Sequence, residues 1–243
     1  MSDPLVLIGV GLAVFVLAGI AQSVSGIGAA LVSVPLVTLV VDPVSGVVAA
    51  TAVSLFMAGQ ASVRERDHVD RPAAGRLLLA GTLGMPVGLW LLVALPETAL
   101  TVLMAVTVAV ALVLVGGRVR VGGGAVTTWF CGALSGTLLT STAMNGPPLV
   151  LALHNLGLPP RKFRATVQVV FAGHDLLAVA GFLVVGQFSP AAFWLTVGGV
   201  VGSTAGWALG DRLFHRLSLE LFRRVLLAGL SASALTLLAS ALL

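Results

Sequence analysis

The stretch TSTAMNGPPLV, residues 140–150, lies inside a long apolar run and interrupts it. Thr140, Ser141, Thr142 and Asn145 are polar, and Gly146, Pro147 and Pro148 do not continue a helix. A helix that crosses lipid pairs its backbone N–H and C=O groups within itself, because each unpaired group is costly in hydrocarbon. A break of this kind survives only where protein buries it or a wet cavity meets it. The stretch therefore reads as the turn between two half-helices that fold back on each other.

The rest of the chain makes the membrane unavoidable. Of its 243 residues, 58% are hydrophobic and 9% charged, with a mean hydropathy of +1.11. Soluble domains carry roughly a quarter charged residues, so this chain lacks the polar surface to face water. Its apolar segments, about 17–22 residues each, are long enough for helices to cross about 30 Å of hydrocarbon. They lack the alternation of membrane strands, which excludes a barrel. The opening MSDPLVLIGVGLAVFVLAGIAQS has no basic residue before its apolar run and ends in a poor cleavage site. It is expected to be a structural segment and not a leader. The single Cys131 excludes an internal disulfide and any multi-cysteine metal site.

All thirteen Lys and Arg residues fall in four stretches, at 64–76, 116–124, 157–164 and 211–224. The junctions near 42–44, 95–98 and 187–190 have none. Basic loops stay cytoplasmic, so the four stretches are expected to face inward and the other junctions outward. Between the inward loops at 116–124 and 157–164 the chain must cross an even number of times. It is therefore a hairpin of two short helices, roughly 125–141 and 146–156. Segments 165–186, 191–210 and 223–242 each cross once.

The first half repeats this plan. GIAQSVSGIGAALVSVPLV (19–37) aligns without a gap on GALSGTLLTSTAMNGPPLV (132–150), pairing Gly19 with Gly132 and Pro35 with Pro148. ATAVSLF (50–56) matches ATVQVVF (165–171), and Gly81, Gly84 and Gly88 match Gly199, Gly202 and Gly206. Corresponding loops carry opposite charge signals: basic 64–76 answers uncharged 187–190, and Lys/Arg-free 95–98 answers basic 211–224. The expected fold is an all-α membrane protein of two inverted repeats, 1–116 and 117–243. Each repeat is a broken, re-entrant helical hairpin plus three transmembrane helices, the architecture typical of secondary transporters. Both termini are expected outside.

Half-helices that meet within the membrane present unpaired N–H groups and a positive dipole end, which favours an anion. The second break offers Thr140, Ser141, Thr142 and Asn145, with Gly146 opening the returning helix. The first, SVSGIGAA, offers the hydroxyls of Ser23 and Ser25, while Gly26 and Gly28 let a ligand approach the backbone. With inverted symmetry the two breaks are expected to converge near the midplane around a small anion. The alternative is that these residues serve only tight helix packing and kinks.

On these residues, GALSGTLLTSTAMNGPPLVLALHNLGLPPRKFRAT together with its first-half partner resembles the TauE/SafE family of sulfite-exporter-like permeases. Pro-Leu closes a Gly-rich segment in both halves, and the second adds Gly-Pro-Pro, Gly-Leu-Pro and Phe-Arg-Ala. The resemblance implies transport of sulfite, thiosulfate, a sulfonate or a related organic anion. The chain departs from the family pattern in having TSTAMNGPP where a more Gly-rich run is usual, and His154 where an aromatic often sits.

Asp175 is the one acid expected deep in the bilayer, with His174 beside it. A central charge is expensive, so Asp175 faces protein or water. It is either a protonatable group that couples proton movement to transport, with His174 as partner, or a neutral carboxyl bonded between helices. Gln168 is a further candidate for the substrate site, and Gln22, Thr51, Ser54 and Gln60 are lesser lining candidates. Arg164 stands at the inner mouth. No Ser-His-Asp set, phosphate-binding loop or metal-ligand spacing appears, so neither an enzyme nor an ATP-driven pump is expected, and no cofactor. The expected partners are a small anion and the bilayer of the inner (plasma) membrane; nucleic acid is not among them, and a homo-oligomer is left open. The sequence suits a multi-pass permease working by alternating access. It leaves open a passive channel for small anions or neutral solutes, and a non-transporting membrane scaffold.

Topology is directly measurable. Pro43→Cys, Glu97→Cys and Phe188→Cys should react with an impermeant thiol reagent added outside, while Val69→Cys, Val119→Cys and Arg161→Cys should stay unlabelled. Labelling of positions 69 and 188 from the same side would end the inverted arrangement.

Overall fold

The computed structural model describes residues 3–25, 29–117, 124–154, 156–214 and 231. The described chain is helical, without a strand: α1 (Pro4–Ser25), α2 (Ala29–Val37), α3 (Pro43–Glu65), α4 (Arg71–Ala94), α5 (Glu97–Gly117), α6 (Ala125–Thr142), α7 (Gly146–His154), α8 (Pro160–Val184) and α9 (Pro190–Phe214). Six of these, α1, α3, α4, α5, α8 and α9, are long and apolar enough to cross a membrane. The hairpin expected at 125–141 and 146–156 is present as α6 and α7. The crossing expected at 165–186 starts five residues earlier, at Pro160, because Arg161, Lys162 and Arg164 sit in the first turns of α8. Such long basic side chains lie along a helix and keep their charged heads in water. The crossing expected at 223–242 lies outside the described residues.

Local chemistry sets the helix starts. Asp42 caps α3, its Oδ1 accepting from the Ser45 N–H at 2.8 Å, with Pro43 at the first helical position. Asp70 caps α4 in the same way through the Ala73 N–H at 3.0 Å, ahead of Pro72. The backbone N–H of Asp70 also donates to Thr166 Oγ1 on α8 at 2.9 Å, fastening the loop after α3 to a distant helix.

Contacts along the helices give each its direction. The end of α3, the start of α8 and the end of α9 meet where Arg64, Glu65, Arg164 and Asp211 line one cavity; we call this the basic end. The starts of α3, α5 and α9 meet around Asp42, Glu97 and Ala191 at the opposite end. α3 and α8 lie antiparallel, joined by Ser54–Asp175 (2.6 Å) midway and Glu65–Arg161 (4.0 Å) at the basic end, while Ser45 of α3 meets Ser189, in the turn after α8, at the opposite end (2.7 Å). α1 runs parallel to α9, and α4 parallel to α6. The hairpin α1–α2 therefore enters from the opposite end and the hairpin α6–α7 from the basic end.

α2 and α7 are each nine residues long, and α3 and α8 each begin on a proline, Pro43 and Pro160. Of the two prolines that the sequence match pairs, Pro35 lies inside α2 while Pro148 belongs to the first turn of α7.

The two parallel pairs pack backbone to backbone. A Cβ at Gly136 would overlap the Gly81 carbonyl, and one at Gly84 the Ala133 carbonyl. On α9, Gly202 and Gly206 meet the carbonyls of Leu12 and Val16. Small residues let membrane helices approach this closely and gain dispersion contacts that lipid cannot supply.

Gly136→Val should therefore destabilise the protein by about 1–3 kcal/mol, seen as a lowered unfolding temperature in detergent. Gly9→Ala, where the added carbon meets nothing within 4 Å, should leave that temperature unchanged or slightly raised. Equal effects would refute the close approach of α4 and α6.

Candidate functional site

The buried apolar residues fall into two clusters. The smaller, towards the basic end, contains Ala58, Leu77, Leu149, Val170 and Phe171. The larger contains Ala50, Met85, Ala143, Met144 and Ala178. Five chain segments pass from one to the other. α3 does so between Ala58 and Met57, one turn from Ser54, and α6 between Cys131 and Leu139, about Ser135 and Gly136. The other three do so at a polar or side-chain-free position. On α4 it is Gly81, between Leu77 and Met85. On α8 it is His174 and Asp175, between Phe171 and Ala178. At the second break it is Asn145, between Leu149 and Met144. These positions form one polar layer across the protein interior.

Within the layer, Asp175 is fully buried, and its Oδ2 accepts from Ser54 Oγ at 2.6 Å. Its Oδ1 is buried and has no hydrogen-bond partner. His174, also fully buried, lies on the bare face of Gly81, where a Cβ would overlap the ring. Its Nε2 is 3.1 Å from the Leu77 carbonyl, and its Nδ1 is buried without a partner. The two neighbours thus address different helices, as a turn of about 100° per residue requires. The expected partnership between His174 and Asp175 is not formed: the imidazole bonds α4 and the carboxylate bonds α3.

Asn145 is 6% exposed. Its backbone carbonyl accepts from Ser135 Oγ on α6 at 3.1 Å, which draws the break back to the level of Gly81 and Gly136. Its side-chain Nδ2 is buried and unpartnered. The turn before it is made by Ala143 at φ 59°, the one described residue other than glycine with positive φ. That conformation costs roughly 1–2 kcal/mol for an L-residue, and the Ala143 methyl is held in the larger apolar cluster.

The hydroxyls expected to meet an anion are occupied. Thr140 Oγ1 is within bonding distance of the Met85 and Gly136 carbonyls (2.8 and 3.1 Å), Ser141 donates to Thr137 O (2.8 Å) and Thr142 to Leu138 O (2.8 Å). Each has one hydrogen to give, and each gives it to backbone. Backbone donors at this break are also few, because Pro147 and Pro148 lack an N–H. Among residues 146–149 only Gly146 and Leu149 carry one.

The first break lies elsewhere. Ser23 Oγ donates to Ile20 O at 2.9 Å and lies against Gly210, close to the last described turn of α9. Gln22 Oε1 accepts from the Ala29 N–H at 3.1 Å and so caps α2 across the break. Ser25 ends α1, and Gly26 and Gly28 are outside the described residues. Measured from the basic end, Gly210 is about 6 Å along α9 from Phe214, whereas Met85, beside Thr140, is about 21 Å along α4. Ser23 and Thr140, each beside its break, therefore stand at different levels and do not meet. Gln168 is buried on α8, on the basic side of the layer.

Sequence reasoning ranked Ser54 only as a lining candidate and used Gly81 only to align the halves. Ser54 and Asp175 are 121 residues apart in the chain, and no local pattern links them. The Gly81, Gly84, Gly88 spacing was a visible sign that one face of α4 is bare. The cavity at the basic end, about 450 Å³, is lined by Gln60, Arg64, Arg164, Trp207 and Asp211 among others, and only Gln60 and Arg164 were singled out beforehand. Among the described residues no three His, Cys, Asp or Glu side chains gather to hold a metal.

Residues 11–237 match the family model described as "Sulfite exporter TauE/SafE". No curated protein and no solved structure matches the chain.

The fit of ring to glycine can be measured. Gly81→Ala should cost about 1–3 kcal/mol of stability through overpacking, and much less in a His174→Ala background, where the ring is gone. A double-mutant cycle on unfolding in detergent that returned no coupling would show that the two do not touch.

Proposed function

The chain belongs to the sulfite exporter TauE/SafE family of membrane transporters, and on that footing we propose that it moves a small, sulfur-containing anion by alternating access, with the polar layer as its substrate site. It is a multi-pass membrane protein with several apolar helices. The observation that carries the proposal is the layer's unsatisfied chemistry. Asn145 Nδ2, His174 Nδ1 and Asp175 Oδ1 are buried without partners at one level of the fold. Native proteins rarely leave buried polar groups unpaired, since each costs about 1–3 kcal/mol. Groups reserved for a ligand account for three such atoms together.

In this reading the anion lies at the N-terminus of α7, where Asn145 Nδ2, the Gly146 N–H and the helix dipole all favour negative charge. Thr140, Ser141 and Thr142 shape the turn that aims Asn145, instead of meeting the anion themselves. Asp175, held by Ser54, carries the coupling proton, and His174 contributes the layer's third polar group. The closed apolar clusters above and below the layer favour a carrier over a passive channel, which needs a continuous wet path. A scaffold would gain nothing from three buried unpaired groups.

Alternating access follows from the proposed two-repeat plan, 1–116 against 117–243. Hairpins entered from opposite ends, nine-residue α2 and α7, and antiparallel α3 and α8 all support it. The basic end would face the cytoplasm of a cell whose inner membrane holds the protein, with the N-terminus outside.

Asn145→Ala should weaken sulfite binding by about 1.5–3 kcal/mol, roughly ten- to a hundredfold, in calorimetry on the purified, folded protein. Unchanged affinity would move the site elsewhere. Asp175→Asn keeps the shape but cannot release a proton, so in proteoliposomes it should lose accumulation driven by a pH gradient and keep downhill exchange. A wild-type response to the gradient would make the carboxyl structural.

A further inference from the structure

We infer that the layer selects an oxyanion that still carries a hydrogen, and that His174 Nδ1 is the acceptor that recognises it. This rests on the placement of the substrate in the layer proposed above. It starts from the tautomer. The group opposite His174 Nε2 is the Leu77 carbonyl, which can only accept, so Nε2 carries the hydrogen. In the neutral ring Nδ1 is then a bare lone pair, sealed in the interior with nothing to accept from.

No side chain around the layer can supply that hydrogen. Ser54 gives its hydroxyl hydrogen to Asp175, Ser135 gives its own to the Asn145 carbonyl, and Thr140, Ser141 and Thr142 are committed to backbone. Ser33 Oγ, also buried without a partner, lies on α2, which packs on α1 and α3. Asn145 Nδ2 is the unpaired donor within the layer, and the anion itself takes it. A coupling proton on Asp175 satisfies Oδ1 but leaves Nδ1 as it was. The missing hydrogen must come with the ligand. A fully deprotonated oxyanion would set lone pair against lone pair at Nδ1, which a buried site resists strongly. An anion of the hydrogensulfite type brings oxygens for Asn145 and one O–H for His174.

The charged surroundings do not blur this. Asp175 is the neighbouring titratable group on α8. α3 presents Ser54, with Arg64 and Glu65 only at its basic end. α4 presents Gly81 and the Leu77 carbonyl, with Arg71 and Arg76 near its start. α6 brings Cys131, buried in the apolar cluster on the basic side, and α7 has His154 at its far end. No lysine or arginine of the described helices reaches the level of the ring.

Three probes separate hydrogen from charge: sulfite, which gains or loses its proton near neutrality; sulfate, a dianion there; and methanesulfonate, a monoanion with no O–H. Calorimetry on the wild-type protein should show sulfite affinity falling about tenfold per pH unit on the alkaline side of sulfite's own titration. Sulfate and methanesulfonate should bind at least about tenfold more weakly at the acid side. His174→Phe keeps a ring against Gly81 while removing the acceptor, so in the folded variant it should bring sulfite and methanesulfonate to within about threefold of each other. Equal binding of sulfite and methanesulfonate by the wild type, or an unchanged gap in His174→Phe, overturns the inference and leaves an anion site in place. Binding of none of the three removes the substrate site itself, and this inference with it.

Discussion

In hydrocarbon every backbone N–H and C=O must find a partner inside the protein, and the two helix breaks are where this protein meets that demand with something other than helix. Across the first, Gln22 turns its side-chain oxygen to the open N–H of Ala29. Across the second, Ser135 supplies the Asn145 carbonyl, while Pro147 and Pro148 remove two donors that would otherwise go unmet. The glycine-lined pairs α1–α9 and α4–α6 bring long helices into backbone contact beside each hairpin. Short half-helices, bare helix faces and hydroxyls bent back to carbonyls all answer the same demand.

That economy explains why the unpaired atoms in the layer stand out. Chain segments that spend so many side chains on pairing backbone leave Asn145 Nδ2, His174 Nδ1 and Asp175 Oδ1 open at a single level. Around them the hydroxyls act at one remove: Ser54 holds the carboxylate, Ser135 holds the break, and Gly81 gives the imidazole its seat. Membrane interiors tolerate polar groups of this kind chiefly where they face protein or serve function.

Much of the architecture was legible in the sequence because lipid imposes simple rules. The break at 140–150 announced a hairpin, and α6 and α7 fall within two residues of the expected bounds. The basic stretches announced which helix ends lie together, and Arg64 with Arg164 line one cavity. Asp175 was conspicuous as a lone acid in an apolar run. Its partner was not, since Ser54 is one of several small polar residues on α3 and only the crossing of α3 over α8 selects it. Nor could the sequence reveal that Thr140, Ser141 and Thr142 give their hydrogens to backbone carbonyls, because a hydroxyl near a break looks the same whether it meets a ligand or a carbonyl. Nor does a shared proline fix its place in a helix: α2 holds Pro35 in its interior and α7 holds Pro148 in its first turn.

The depth of the polar layer has an electrical consequence. Asp175 is the sixteenth of the 25 residues of α8, with nine beyond it towards the opposite end. A charge reaching it from that end travels about 14 Å along the helix, and one from the basic end about 23 Å. If the membrane potential falls evenly through the hydrocarbon, the shorter route covers roughly two-fifths of it. A unit charge stepping into the layer from that side then exchanges about 1 kcal/mol with the field for each 100 mV, and the step out on the other side exchanges the rest. A monoanion and a proton arriving together would carry no net charge and cross without this work, whereas an anion entering alone would be helped or hindered by the voltage according to the side from which it comes.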